Sequence, residues 1–287
     1  MMNPRPVVIT GVSSGIGKES AIYLLNKGIP VYGSVRKEKD ADDLKASFPD
    51  LFTPLIFDVR DTEAINKAVN LVESKVQSTG LAGLVNNAGI AVSGPMQHVK
   101  HEFMQKQMDV NVHGLLQVTQ LFLPLLGASK ASTYQPGRLV NISSVSGRMT
   151  RMMMGPYSAS KYAVEAISDA FRRELKIYGI RVSIIEPGPI DTEIWKKART
   201  ENQPYGDTDY AFILNQRDKI IDQNQQMAIS SEKVAQKVHH ALYAKRPKTR
   251  YLVTGKKWLI RSIISYMPTR LVDYLFTKPY LKEAKKA

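Results

Sequence analysis

The chain has 287 residues, of which 43% are hydrophobic, so a single α/β unit with a sizeable core is within reach. It contains no cysteine, which excludes disulfides and thiolate metal sites. The net charge of +14 favours anionic partners, but the basic residues are dispersed outside the C-terminus, without zinc-finger spacing or a basic block interleaved with aromatics, so nucleic acid is not an expected partner. In chain order, "PVVIT" (6–10), "PVYGSV" (30–35), "TPLIFDV" (53–59), "GLVNNA" (83–88), "RLVNIS" (138–143), "RVSIIEP" (181–187) and "RYLVTG" (250–255) read as strands. They are nearly continuous in hydrophobicity, as strands buried on both faces are. Helical patterns lie between them at 15–28, 38–47, 61–78, 98–126, 156–178 and 231–245. Such alternation implies right-handed βαβ crossovers and a Rossmann-type, doubly wound sheet of seven parallel strands. The predicted organisation is one domain over 1–255, with a polar insertion at 191–228 and a basic amphipathic extension at 256–287. An insertion leaving the carboxyl end of a strand is placed to act as a lid over a ligand.

The first strand runs into "TGVSSGIG" and a helix follows. Gly11 permits a tight turn, Gly15 admits a pyrophosphate close to the backbone, and Gly17 lets helix and strand approach. Amides at the helix start then face the phosphates, in the stretch from Ser13 and Ser14 to Ile16. An NAD site places an acid at the end of the second strand, about 20 residues on. Here Val35 stands in that place and Arg36 follows, a guanidinium suited to a 2′-phosphate. NADP(H) is therefore expected over NAD(H), although Ser14 stands where a second basic residue could have sat. Asp58, closing the third strand, is a candidate for the adenine amino group, with Val59 against the ring.

"YSASK" opens the helical pattern at 156–178 and puts Tyr157 and Lys161 at i and i+4, on one helix face. A nearby ammonium favours the phenolate and should lower the Tyr157 pKa toward neutrality, where acid–base catalysis works best. "NISSVSG" places Ser143 and Ser144 at the carboxyl end of the fifth strand, where a hydroxyl can stabilise charge on a carbonyl oxygen. Over about residues 5 to 255, "TGVSSGIG", "NNAG" (86–89), the asparagine of "DVNVHG", "YSASK" and "EPGPIDT" (186–192) together resemble the short-chain dehydrogenases/reductases. The resemblance implies hydride transfer between a nicotinamide and a carbonyl carbon, with Tyr157 handling the proton of the oxygen. It implies Lys161 as pKa partner and ribose ligand, and Asn111 as holder of a water in a proton relay. Of the two serines it implies Ser144 by its spacing to the tyrosine, with Ser143 as the fallback. It further implies cofactor contacts at Asn87, Ala88 and Gly89, at Pro187, Gly188 and Ile190, and from Thr192 to the carboxamide. A homodimer or homotetramer is expected on the same ground.

Met152, Met153 and Met154 precede Tyr157, and their soft side chains suit an irregular apolar ligand or, alternatively, a packed core or subunit interface. A lipophilic small molecule is therefore expected as substrate, in the manner of the hydroxysteroid and retinol dehydrogenase branch. Acyl-thioester or sugar-like carbonyls are the alternative, and a non-enzymatic NADP-binding regulator is a third reading. No metal site is expected: His98 and His101 open one helix, His239 and His240 lie on another, and no carboxylate set converges on them. The N-terminal "MMNPRPVVIT" lacks the regions of a secretory signal, and no run of about 18 apolar residues occurs, so a cytoplasmic location is expected. The tail mixes Trp258, Leu259, Ile263, Ile264, Met267, Leu271, Leu275 and Phe276 with Lys257, Arg261, Arg270, Lys278 and Lys282, and Pro268 interrupts it. That pattern describes an interfacial helix pair at a membrane surface, or a segment folded over the cleft or a second subunit.

Overall fold

The computed structural model describes residues 4–77, 79–192 and 205–284. Residues 193–204 of the expected lid, residues 285–287, and the side chain of Lys282 lie outside the described set. The strands are β1 (Val7–Ile9), β2 (Val31–Val35), β3 (Phe52–Ile56), β4 (Gly83–Asn86), β5 (Arg138–Ile142), β6 (Arg181–Pro187), β7 (Ile190–Asp191), β8 (Ile229–Ser230) and β9 (Arg250–Val253). Seven of them form one parallel sheet in the order β3-β2-β1-β4-β5-β6-β9. These seven are the strands expected from the sequence, trimmed by a residue or more at half of their ends, with β3 beginning one residue earlier.

Both faces of the sheet are covered, which accounts for the continuous apolar runs. Val7 and Ile9 point to the face packed by α1 (Gly15–Leu25) and α9 (Ser231–Tyr243), while Val8 points to the other. That second face meets α3 (Thr62–Val76), α5 (Leu115–Phe122) and α6 (Gly155–Glu174) through Val72, Val118, Phe122 and Phe171. The strand order reverses between β1 and β4, and ligands of such sheets bind outside the carboxyl ends at that switch point.

Two departures from the expected elements bear on the site. The single helix expected over 98–126 is broken into α4 (His101–Met108), a wide π-helical turn at Asp109–Gly114, and α5. Such a turn inserts a residue into the helical period and re-aims the side chains it carries. The insertion is clipped at its base by a parallel pair, Ile190↔Ile229 and Asp191↔Ser230. It carries α7 (Ala211–Leu214) and α8 (Arg217–Gln226), whereas α2 (Asp42–Ser47) lies between β2 and β3. The tail forms α10 (Lys257–Tyr266) and α11 (Thr269–Ala284), parted at Pro268 as expected. α10 packs beside β9 and α11 beside α7, so the tail lies against part of the insertion. No described helix is long and apolar enough to cross a membrane.

Candidate active site

The turn after β1 has a shape that side chains would prevent. Gly11 and Gly15 take φ of +71° and +59°, the left-handed region open to glycine. A Cβ on Gly17 would lie 2.2 Å from the Gly11 carbonyl oxygen and 2.3 Å from the Asn87 amide nitrogen. The turn is stapled from β4: Asn87 Nδ2 donates to the carbonyls of Thr10 and Gly11 at 2.9 and 3.0 Å. The Thr10 hydroxyl accepts from the amides of Asn87 and Ala88 at 2.9 and 3.0 Å. Asn87 and Ala88 thus build the turn, and Thr10 is a member of the site that sequence reasoning missed. Ser13 and Ser14 are exposed, and α1 begins with neither a side-chain cap nor an acid in its first turn. Its free amides and positive dipole end are left to an anion. Ile16 lies half-buried at the start of that helix. Thr192 reaches in from the other half, its methyl 3.5 Å from where a Gly15 Cβ would stand.

Arg36 follows β2 with its side chain in solvent, close enough to Asp58 to lower that carboxyl's pKa. The Asp58 carboxylate also has a partner within the chain. Its two oxygens are already held by Arg60, with Nε to Oδ1 and a terminal nitrogen to Oδ2, both at 2.9 Å. The Arg60 side-chain hydrogen bond is the main reason its pKa lies below the usual carboxylate range. Arg60 therefore joins Arg36 as a second cation beside this end of the cleft, and the "DVR" triplet was its overlooked signal. Val59 is only 7% exposed and packs where a Cβ on Gly114 would lie, 2.7 Å from its methyl, which leaves little side chain for an adenine.

The other half of the edge gathers the candidate catalytic residues. Ser144 caps a short turn after β5, accepting from the Ser146 amide at 3.0 Å, and its hydroxyl is near enough to the Tyr157 phenol to lower that group's pKa in part. Ser143 instead turns toward Gly147, its buried hydroxyl without a partner. Lys161 lies one turn beyond Tyr157, its Nζ 5.8 Å from the ring centroid and donating to the Ile142 carbonyl at 2.8 Å. The expected lowering of the Tyr157 pKa is not what this geometry gives. Burial pushes the phenol up, and the Ser144 hydrogen bond recovers only part of that. Burial likewise lowers Lys161 to about 8, against the raising effect of Glu165. Desolvation is the largest effect on both groups.

Asn111 sits on the π-helical turn, buried. Its Nδ2 donates to the Ile90 carbonyl and to Ser160 Oγ, both at 3.0 Å, and its Oδ1 accepts from the Ile90 amide at 2.8 Å. Both amide hydrogens are thus used to tie α6 to the segment after Gly89; a proton relay could draw only on the oxygen or the backbone. Pro187 accepts from Ser144 at 3.4 Å, Gly188 donates to the Val253 carbonyl at 3.0 Å, and Ile190 is buried at the start of β7. Pro187 and Gly188 line the same edge.

A buried charge cluster behind Lys161 was not foreseen. Glu165, one turn further along α6, receives Arg250 Nε at 3.1 Å, and the same nitrogen lies 3.3 Å from Glu186. Arg148 meets Glu186 at 3.2 Å, and Arg250 also meets Asp169 at 2.9 Å. Burial, then the neighbouring Glu165, raises the Glu186 pKa. The signal was an acid at i+4 from Lys161 on a helix face otherwise buried.

A family model described as short chain dehydrogenase matches residues 5–203. The chain belongs to the short-chain dehydrogenase/reductase family. It is 49% identical over 278 residues to the NADPH-dependent 3-dehydrocapnine reductase of Ornithobacterium rhinotracheale, covering 97% of this chain and 98% of that protein. Retinol dehydrogenase 16 of Mus musculus is 37% identical, with 99% of this chain and 91% of that protein covered. A solved short-chain dehydrogenase from Streptomyces avermitilis superposes with a TM-score of 0.76 at 24% identity, over 98% of each chain. This short-chain dehydrogenase/reductase is accordingly an oxidoreductase with the seven-stranded parallel sheet of its family.

Proposed function

We propose that the protein is an NADP(H)-preferring reductase of lipophilic ketones or aldehydes, with Tyr157 as proton donor. The observation that carries this is the meeting of Ser144, Tyr157 and Lys161 at the same carboxyl edge as the uncapped start of α1. The cradle fits a dinucleotide: Gly11, Gly15 and Gly17 clear the backbone, the α1 amides face a pyrophosphate, and Arg36 with Arg60 offers guanidinium to a 2′-phosphate. The relative named as NADPH-dependent supports the same choice. Bound NADPH would supply the hydride that reduces the carbonyl carbon.

The chain's own residues do the rest. Ser144 and Tyr157 donate to the carbonyl oxygen and stabilise the negative charge it gains. Tyr157 then releases its proton to that oxygen, giving the alcohol. A phenol whose pKa is raised by burial stays protonated at neutral pH, which suits a donor in the reductive direction. Lys161 holds the phenolate left behind until it is reprotonated. Met152, Met153 and Met154 are half-buried at the mouth and give the substrate a deformable apolar wall. The described part of the insertion, whose α7 lies against α11, would act as the lid. Following NADPH absorbance against long-chain ketones, retinal, acyl thioesters and ketosugars tests the reading. Turnover of the first two groups is expected, and turnover confined to thioesters or sugars would overturn it.

We also propose that the tail meets an anionic bilayer surface. In its support, α10 buries none of its residues, and Trp258 and Tyr266 are 80% and 82% exposed beside Lys256, Lys257 and Arg261. Full-length protein should sediment with phosphatidylserine vesicles at low salt and be released at high salt. A chain ending at Gly255 that sediments equally well would defeat the idea.

A further inference from the structure

The half-buried arginines of the protein share a habit, with one exception. Arg5, Arg138, Arg148, Arg172 and Arg250 each donate to a carbonyl or a carboxylate. Arg151 is as deeply placed, yet among the described residues its guanidinium has no hydrogen bond and no ion pair. Burial lowers its pKa, and the group set against that effect is the phenol of Tyr280 on α11, not a carboxylate. A half-buried guanidinium with no acceptor from the described residues is open to a ligand, and an oxyanion that takes two of its N–H groups is the partner that best completes it.

Its position says whose oxyanion this is. Arg151 lies on the loop from β5 to α6, six residues before Tyr157 and next to the three methionines. That loop is held in one shape. The Gly94 amide donates to the Met153 carbonyl at 2.7 Å, Gly94 and Met154 form a bridge, and Met153 takes a φ of +66°, costly for a side-chain-bearing residue. A Cβ on Gly94 would lie 2.4 Å from the Tyr205 hydroxyl of the insertion, so the loop, the insertion and the tail converge here. The cations of the opposite half, Arg36 and Arg60, stand after β2 and β3, at the other end of the edge.

We propose that Arg151 anchors an anionic head group, a carboxylate or sulfonate, carried by the lipophilic substrate close to its reacting carbonyl. The methionines receive the apolar chain, and the guanidinium fixes the end that must enter beside Tyr157. This deepens the substrate class proposed above and rests on that reading of the Tyr157 site.

The test compares wild type, Arg151→Gln and Arg151→Lys, each saturated with NADPH, on a long-chain γ-keto acid and its methyl ester. Wild type should favour the acid in kcat/KM by about tenfold or more. Arg151→Gln should remove that preference through a rise in KM for the acid, with a far smaller change for the ester, and Arg151→Lys should keep part of it. Equal losses on both compounds, or no preference in wild type, would overturn the anchor while leaving the reductase reading intact. If neither compound is reduced, binding decides. A rise in Tm with decanesulfonate but not decanol, lost in Arg151→Gln, upholds the anchor and transfers the failure to the proposed substrate chemistry. No such rise overturns the anchor.

Discussion

The turn after β1 and the helix pair after β9 lie at opposite ends of the chain and answer to the sequence in opposite ways. In the turn every position has one solution: Gly17 meets the Gly11 oxygen at a distance no Cβ tolerates, and Asn87 and Thr10 close the staple with buried hydrogen bonds. In the tail, α10 fully buries no residue, and Trp258, Leu259 and Tyr266 stand in solvent. A fully buried Val, Leu or Ile contributes about 1.5–3 kcal/mol, so β1, with Val7, Val8 and Ile9 wholly buried, is fixed by its own packing. The tail receives no comparable term from within the chain. The difference teaches that the cofactor half is self-sufficient, whereas the tail's first helix leaves most of its surface open.

The comparison breaks most sharply at Gly17. Gly17→Val should destabilise the protein by about 3 kcal/mol or more and abolish NADPH binding, read by urea unfolding and by fluorescence titration. A well-folded variant that binds NADPH would show the turn to be less constrained than its geometry says. Next in size, Arg36→Asp should weaken NADPH about tenfold to a hundredfold while leaving NADH less affected, because a carboxylate repels a 2′-phosphate and accepts from a ribose hydroxyl. Equal losses in calorimetric titration would remove Arg36 from cofactor choice.

Lys161 sharpens the contrast through pH. Its folded pKa of about 8 lies below the 10.5 of a free lysine, so between these values the native state binds fewer protons than the unfolded chain. The charged form is therefore penalised in full below the folded value, and stability is regained as pH rises through this window. The Tm of wild type minus that of Lys161→Met should increase from pH 8 toward 10.5. A flat difference would mean that Lys161 is not desolvated. Smallest of all, removal of the tail after Gly255 should change stability by less than about 1 kcal/mol, since its first helix buries no residue. A large loss in thermal unfolding would make the tail part of the core.

The seven strands were legible because strands buried on both faces leave long apolar runs, as "PVVIT" and "RVSIIEP" do. The glycine turn and "YSASK" were legible because each motif carries its own local mechanics. The π-helical turn at Asp109–Gly114 was not, since one inserted residue does not disturb an apolar pattern enough to show. The β7–β8 clip was invisible because two residues per strand carry no period. Glu165 and Glu186 were passed over because an acid in an isolated sequence reads as solvated; the approach of Arg250 from β9, far along the chain, and of Arg148 to Glu186 makes their burial tolerable. The Tyr157 pKa was misjudged for a related reason. Spacing shows which charges are near, but not how much water is removed.

The central claim is that Tyr157 gives the proton, and Tyr157→Phe tests it most directly. The phenyl ring keeps the packing and leaves the cradle after β1 untouched, so NADPH should bind nearly as in wild type. Ketone-dependent NADPH oxidation, followed by absorbance, should fall by about a thousandfold or more, within the range expected for loss of a general acid. Activity within about tenfold of wild type, with NADPH binding intact, would contradict the account.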